Sequence, residues 1–502
     1  MKIVYGDTSG RLSDHQRGKK QTLQGDPLQD TILYGDARAI LDYARGGNDI
    51  LSGTTDVSNT FFGDARFIYG HGRGGDDRLS VEQTEPGLRD TTNLLFGDAL
   101  AIFDHAAGGQ DVLILVGPNV RATLFGDAFL MTGRSRGGSD AFDGGEGGGA
   151  FYGDAYTMSG RALGGNDEMK AGTGLYVETV LYGDAYRMSG SARGGDDTLD
   201  PGRWGVTYGD AYSMTGYARG GHDSITSTGR FSNLFHGDAK SMSGSTKGGN
   251  DTFNVSGTTV ILYGDAHTMT GHAKGGRDTV SAFGLSVAAY GDAHDMSRNA
   301  RGGDDKILGQ DILRNDLHGD AHHMSGNSVG GNDEISGGDA GAGATFTNNL
   351  YGDAYAMSGS ARGGDDTIAG GDASSGANVQ NSLYGDAYSM SGDARGGDDR
   401  MIAGTASSDM WGDAALMQDG ALGGQDTFVF AGSFGETRIH DFRQGEDRLE
   451  IDVDPGLDPF AQVSWITAGS DGVVTVAGPE SSGTVRLAGF TGTLTGSDFY
   501  FV

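Results

Sequence analysis

Residues Leu350–Gly371 read LYGDAYAMSGSARGGDDTIAGG, and the rest of the chain is largely variations on this phrase. Its first half is "GDA", preceded by an apolar residue and usually an aromatic one. Copies begin at Gly35, Gly63, Gly97, Gly126, Gly153, Gly183, Gly209, Gly237, Gly264, Gly291, Gly319, Gly352, Gly385 and Gly412. The second half is "GGxD", whose first glycine follows eleven positions later in all fourteen copies, as in Gly352 to Gly363. From there to the next "GDA" the spacing varies from fifteen residues (Gly194 to Gly209) to twenty-three (Gly74 to Gly97). A rigid half joined to an elastic half describes a solenoid coil whose insertions bulge from one face.

Within Leu350–Gly371 the apolar positions are Leu350, Ala354, Met357 and Ile368. The "GDA" alanine is constant across copies. Five residues after the "GDA" glycine stands Ile40, Ile68 or Ile102, then Met from Met131 to Met417. Two residues after the "GGxD" aspartate stands another apolar side chain, from Leu51 and Leu79 to Met401 and Phe428. Stacked coils turn such positions into internal ladders with a step of about 4.8 Å, and unbranched methionine suits a narrow interior. The pattern predicts an all-β, elongated parallel β-solenoid (a β-roll or β-helix) of about fourteen coils, with a β-rich C-terminal cap. Runs such as Val177–Leu181 and Thr258–Leu262 suggest three short strands per coil; an eighteen-residue, two-strand coil with a looped-out segment is the alternative. The "GGxD" glycines are expected to occupy turn conformations that a β-carbon opposes, and "SG" or "TG" after the methionine to form another corner.

Residues 1–32 read as a degenerate N-terminal capping coil. Tyr5-Gly6-Asp7-Thr8 imitates the first half, but Arg17-Gly18-Lys19-Lys20, eleven positions on, lacks an aspartate. Residues 33–422 are the repeats, and 423–502 a strand-rich terminal module.

Composition narrows the partners. The 502 residues include 93 glycines and only 36% apolar side chains, which points to a thin core rather than several thick ones. Such a composition overlaps that of disordered chains, but 22 Phe, 19 Tyr and 15 Met, mostly at fixed repeat positions, oppose disorder. With 68 acidic and 36 basic side chains the formal charge is −32, which disfavours nucleic acid and anionic membranes and favours cations. Cysteine is absent. No apolar run suggests a membrane span, and the N-terminus shows no apolar stretch of an export signal.

The aspartates carry the functional reading. Each coil supplies one from "GGxD": Asp49, Asp77, Asp111, Asp140, Asp167, Asp197, Asp223, Asp251, Asp278, Asp305, Asp333, Asp366, Asp399 and Asp426. Each supplies another from "GDA": Asp36, Asp64, Asp98, Asp127, Asp154, Asp184, Asp210, Asp238, Asp265, Asp292, Asp320, Asp353, Asp386 and Asp413. Stacked in columns, neighbouring charges repel by roughly 0.9 kcal/mol in water and roughly 3.5 kcal/mol at an effective dielectric of 20. Two neutralisers offer themselves. The residue before "GG" is basic in ten of the fourteen copies: Arg45, Arg73, Arg136, Arg193, Arg219, Lys247, Lys274, Arg301, Arg362 and Arg395. Multiple calcium ions are the other, since Ca²⁺ takes about six to eight carboxylate and carbonyl oxygens at about 2.3–2.6 Å. Copies with Ala107, Leu163, Val329 or Leu422 in place of the basic residue keep their aspartate, which favours metal. The "GDA" aspartate has a further reading, as the cap of a turn.

At "GGNDIL", "GGDDTL", "GGDDTI" and "GGQDTF" the chain resembles the RTX, or haemolysin-type, calcium-binding repeats, in the closing part of their nonapeptide. The intervening "YGDAYxMSG" departs from that nonapeptide. "GGQDTFVF", "RIHDFRQGEDRLEI", "GTVRLAGF" and the terminal "DFYFV" look like the C-terminal module of RTX proteins exported by type I secretion. The resemblance implies export from a Gram-negative cell by a machinery that reads an uncleaved C-terminus, with folding in extracellular calcium. It implies a secreted or cell-surface protein.

Catalytic motifs dissolve into the repeat. "GRSRG" (Gly133–Gly137) and "GNSVG" (Gly326–Gly330) match a serine-hydrolase elbow, and "GHGRGG" (Gly70–Gly75) a dinucleotide fingerprint. All three fall on the corner occupied elsewhere by "GSARG". His267, His294, His318, His322 and His323 cluster in the sequence and offer transition-metal binding as one reading; the favoured one is scattered surface imidazoles on outward positions. The expected function is a non-catalytic structural, surface or matrix component. The alternatives are a carbohydrate-binding adhesin, with Tyr156, Tyr186, Tyr212, Tyr355 and Tyr388 as a stacking stripe, or a polysaccharide lyase or epimerase. Self-assembly and surface polysaccharide are the partners such roles imply.

Overall fold

The computed structural model describes the chain except residues 84–90, 119, 175–177, 204, 230–232 and 311–312. It forms two compact units, Met1–Val255 and Ser256–Val502, each a parallel β-solenoid.

In both units a coil contains three strands. The first ends just before "GDA" (Thr31–Tyr34), the second starts at its alanine (Ala37–Ile40), and the third follows "GGxD" (Ile50–Thr54). Coil upon coil these pair in parallel and in register: Leu33↔Phe61, Ala37↔Ala65 and Leu51↔Leu79 in the first unit, Leu350↔Leu383, Met357↔Met390 and Ile368↔Met401 in the second. The two-strand alternative is thereby excluded. Of the expected run Val177–Leu181, Val177 lies outside the described residues, and a strand covers Thr179–Tyr182. The elastic segment is absorbed by the first strand and the turn before it: four residues at Gly205–Tyr208, seven at Thr345–Tyr351.

The second strand buries only its ends. Ala37 and Ile40 are inward while the two residues between them face out, and the same holds for Ala211–Met214 and Ala354–Met357. With Leu51, Leu79 and their successors these residues form the ladders expected from the sequence; Met214 and Ile368 are fully buried. Met417, at the last copy, is only half-buried. A further ladder runs through the aromatic before "GDA". Tyr34, Phe62, Phe96 and Phe125 stack face to face at 4.7–4.9 Å in the first unit, as do Tyr351, Tyr384 and Trp411 in the second. Buried asparagines also chain from coil to coil, Asn315 to Asn348 at 2.7 Å and Asn348 to Asn381 at 2.8 Å.

The corner after the methionine is left-handed, as expected: φ is 74° at Gly160 and 72° at Gly359. Where glycine is missing, Asp42, Asp104, Arg298 and Asp419 adopt the same conformation. The "GGxD" glycines correct the expectation. Neither Gly46 nor Gly47 has a positive φ. They are glycines because a neighbouring coil is too close: a β-carbon on Gly46 would collide with the Asp64 carboxylate of the following coil, and one on Gly75 with the Gly47 carbonyl oxygen of the preceding one.

Residues 2–24 form a complete coil, with strands Lys2–Tyr5, Thr8–Leu12 and Thr22–Gln24. A β-bulge between Thr8 and Arg11 inserts one residue, so Arg17 pairs with Arg45 rather than with Gly46. The column position opposite Asp49 therefore falls on Gln21, which the eleven-residue count misses. At the other end, Arg448–Ile451 continues the third-strand sheet beyond Thr427–Phe430, and Phe499–Phe501 continues it again. Thr437–Ile439 continues the first-strand sheet onto Val485–Leu487, part of an antiparallel set with Val463–Ala468 and Asp471–Ala477. The tail thus covers strand edges that would otherwise stand open. No helix among the described residues is long and apolar enough to cross a membrane.

Candidate metal centre

Both sets of aspartates are inside the coils, between 0 and 3% exposed from Asp36 and Asp49 onward. The "GDA" aspartate explains the invariant spacing. Its carboxylate accepts a hydrogen bond from the second glycine of its own "GGxD", Gly47 N to Asp36 Oδ2 at 2.7 Å and Gly364 N to Asp353 Oδ1 at 2.8 Å. That bond closes a loop of fixed length in each coil, and only the remainder can vary. The reading of this residue as a turn cap holds for one of its two oxygens. The other oxygen, in Asp36, Asp127, Asp154, Asp184, Asp210, Asp292, Asp320, Asp353 and Asp386, is buried and meets no donor. Successive carboxylates face one another instead, Asp127 between Asp98 and Asp154, Asp320 between Asp292 and Asp353.

The "GGxD" aspartates form a second file with a different bond. Each offers Oδ1 to the backbone amide of its counterpart in the preceding coil: Asp111 N to Asp140 at 2.7 Å, Asp333 N to Asp366 at 2.7 Å. The Oδ2 atoms of Asp49, Asp77, Asp111, Asp140, Asp167, Asp197, Asp223, Asp305, Asp333, Asp366, Asp399 and Asp426 are buried without a hydrogen-bond partner. Asp238, Asp251, Asp265 and Asp278 are likewise buried.

The basic residues before "GG" do not neutralise these files. They are exposed, and in the first unit Arg17, Arg45 and Arg73 bridge to one another through their backbones as an outer ladder. Among the described residues none of the ten forms an ion pair with a column aspartate. Burial therefore raises carboxyl pKa values in both files: Asp36 to about 6, Asp49 to about 7, Asp197 to about 8 and Asp426 to about 9. Desolvation leads in each, reinforced at Asp49 by the charge of Asp36. Coil-to-coil repulsion, the argument from the sequence, is the smaller effect.

In each unit the files are capped at one end by residues the repeat count does not reveal. Gln21 donates its backbone amide to Asp49 Oδ1 at 2.7 Å, as a column aspartate would, but carries a neutral side chain that bonds Asp7 Oδ1 at 2.6 Å. In the second unit the Asp441 carboxylate accepts from the amides of Gly412 (2.8 Å) and Asp413 (3.1 Å), replacing the carbonyls of a further coil. Arg443 Nη1 pairs with Asp413 Oδ2 at 2.7 Å, and Asp447 accepts from Asp426 N at 3.2 Å. The run "HDFRQGED" is legible afterwards as this cap, Asp441 and Arg443 serving the "GDA" terminus at Asp413 and Asp447 the "GGxD" terminus at Asp426.

No family model matches the chain, and no curated protein does either.

The residues suit a hard cation. The orphan oxygens are carboxylates, and backbone carbonyls stand beside them: a β-carbon on Gly35 would strike both Gly63 O and Asp49 Oδ2, and one on Gly352 both Gly385 O and Asp366 Oδ2. Every donor is oxygen, the set that calcium and magnesium take. Two carboxylates per coil balance one divalent ion. With the 28 column aspartates neutralised, the formal charge falls from −32 to −4.

Other candidates resolve differently. Ser135 and Ser328, the would-be nucleophiles, are fully buried at the corner position that Ala44 and Ala162 occupy elsewhere. The tyrosine stripe exists, but its faces are taken: Tyr156, Tyr186 and Tyr212 stack on one another at 4.8–4.9 Å, and Tyr355 on Tyr388 at 5.1 Å. A sugar ring would meet edges rather than faces. The histidines divide. His318 is buried between Tyr290 and Tyr351, whereas His294, His322 and His323 converge rather than scatter.

Proposed function

We propose that this chain is a non-catalytic calcium-binding repeat protein that acts as a structural component outside the cell and folds as it takes up the ion. The observation that carries the reading is the orphan carboxylate oxygen, repeated coil after coil in an interior that the basic side chains before "GG" do not reach. Buried carboxylates without counter-ions, repeated through both files, would destabilise any marginally stable fold. A cation per coil removes that cost, and its binding free energy becomes folding free energy. The C-terminal resemblance to RTX modules supports export by a type I route: in low calcium the chain stays loose enough to thread a channel, and in extracellular calcium it folds.

The experiment is a calcium titration of chelator-stripped protein followed by far-ultraviolet circular dichroism, with magnesium as control. A cooperative coil-to-β transition at about 10⁻⁴–10⁻³ M Ca²⁺ is expected. A full β signal in chelator, unchanged by calcium, sinks the proposal. Export is tested separately, by whether residues 423–502 carry a fused reporter through a type I machinery.

A further inference from the structure

In the second unit, strand Ala321–Met324 buries Ala321 and Met324 and turns His322 and His323 outward together. Its neighbour Ala293–Met296 pairs with it in register, Ala293↔Ala321, Asp295↔His323 and Met296↔Met324, so His294 and Asp295 take the same two outward positions one coil earlier. Four side chains thus form a two-by-two patch. The His294 and His322 rings lie parallel, centroids 4.9 Å apart, and His323 stands edge-on to His322 at 4.2 Å. One nitrogen from each of the three rings lies within 4.8 Å of the others, and His322 Nδ1 is 3.3 Å from His323 Nε2. Asp295 reaches both flanks, Oδ2 to His294 Nδ1 at 3.0 Å and Oδ1 to His323 Nδ1 at 3.2 Å.

We propose that His294, His322 and His323 bind one transition-metal ion of the zinc class, with Asp295 orienting two of the imidazoles. The chemistry differs from that of the carboxylate files. Imidazole nitrogens select zinc, copper or nickel, whereas calcium takes oxygen. A carboxylate on one ring nitrogen fixes the tautomer and leaves the other for the metal, the arrangement usual around metal-bound histidines. Tetrahedral bonds of about 2.0–2.1 Å need ligand nitrogens about 3.3 Å apart. His294 is stacked between His267 and His322, and His322 against Tyr355, so two of the rings are held in place. The exposed His323 supplies the remaining movement by rotation of its side chain. The site requires histidine at the outward positions of two successive coils, which "AHDM" followed by "AHHM" provides.

The test is a calorimetric titration of the calcium-saturated full chain with Zn²⁺, and of the same protein with Co²⁺ by visible absorption. One equivalent of Zn²⁺ that excess calcium does not displace is expected, with a tetrahedral Co²⁺ spectrum. His322→Ala and His323→Ala should each weaken binding at least tenfold, and Asp295→Asn by about ten- to a hundredfold. His105→Ala, exposed on the first unit, should leave it unchanged. These side chains face outward, so circular dichroism of each variant should match the parent. Unchanged Zn²⁺ binding in the triple His294→Ala, His322→Ala, His323→Ala variant overturns the proposal. So does a Co²⁺ spectrum identical to that of the hydrated ion, a readout that needs no variant.

Discussion

The backbone amide of Asp77 donates to Oδ1 of Asp111 at 2.6 Å, while Oδ2 of the same Asp111 carboxylate is buried with no donor in reach. One oxygen builds the stack and the other is left without a hydrogen-bond partner. Asp111→Asn separates the two roles. The amide keeps an acceptor for Asp77, and its NH₂ lies toward Gly126 O, the carbonyl that flanks Asp111 Oδ2 at Gly97. In chelator the variant should be more stable than the parent by about 1–3 kcal/mol, since an uncompensated buried charge is gone. In millimolar calcium it should be less stable by a similar amount. Denaturant unfolding under both conditions checks this; a change of the same sign in each would remove Asp111 from the ligand set.

On the proposed reading protons and cations compete for the same oxygens, which gives a pH dependence. The folded-state values of about 6, 7, 8 and 9 at Asp36, Asp49, Asp197 and Asp426 lie above the ordinary carboxyl value. Between the two values the folded chain binds more protons than the unfolded one, so stability falls as pH rises. Chelator-stripped protein should therefore lose stability steadily from about pH 4 to pH 9, and calcium should flatten the profile at its upper end. Thermal unfolding across that range, with and without calcium, reads the effect. A metal-free protein as stable at pH 8 as at pH 5 would contradict it.

Arg443 pairs with the 3%-exposed carboxylate of Asp413 while its own side chain is 38% exposed. Arg443→Gln leaves the terminal aspartate of the "GDA" file uncapped. The expected loss is about 1–3 kcal/mol, below the value for a fully buried pair because solvent screens the guanidinium. Denaturant midpoints at pH 7 measure it. A loss under about 0.5 kcal/mol, the range of ordinary surface changes, would show that the charge does not cap the file.

The left-handed corner gives a pair of opposite signs. Arg298 has φ 65° where Gly359 has φ 72° in an equivalent corner. Arg298→Gly should raise stability by about 0.5–1 kcal/mol and Gly359→Ala lower it by about 1–2 kcal/mol. Melting temperatures of the two variants decide the matter.

Much of the coil was legible without coordinates because its constraints are local and recur. The positions Ala354, Met357 and Ile368 had to be inward, since a repeat cannot alternate an invariant apolar residue with solvent. The corner glycines announced themselves as Gly160 or Gly359 and were replaced by Asp42 or Asp104, residues that tolerate the same φ. The recurrence of Asp36 with Asp49, and of Asp353 with Asp366, marked them as the chemistry of the fold.

Other features depend on what a neighbouring coil places in the way. The "GGxD" glycines answer to a carboxylate and a carbonyl in adjacent coils rather than to their own φ. Gln21 enters the aspartate file only because a bulge shifts the register by one residue. Asp441, Arg443 and Asp447 cap files whose members lie tens of residues earlier, and His322 meets His294 through strand pairing alone. Sequence by itself determined the solenoid, its period and its inward residues, because burial patterns repeat along the chain. Tertiary structure decided which oxygen of each aspartate is satisfied and which charges find partners, because those depend on distances between coils that the chain's linear order does not contain.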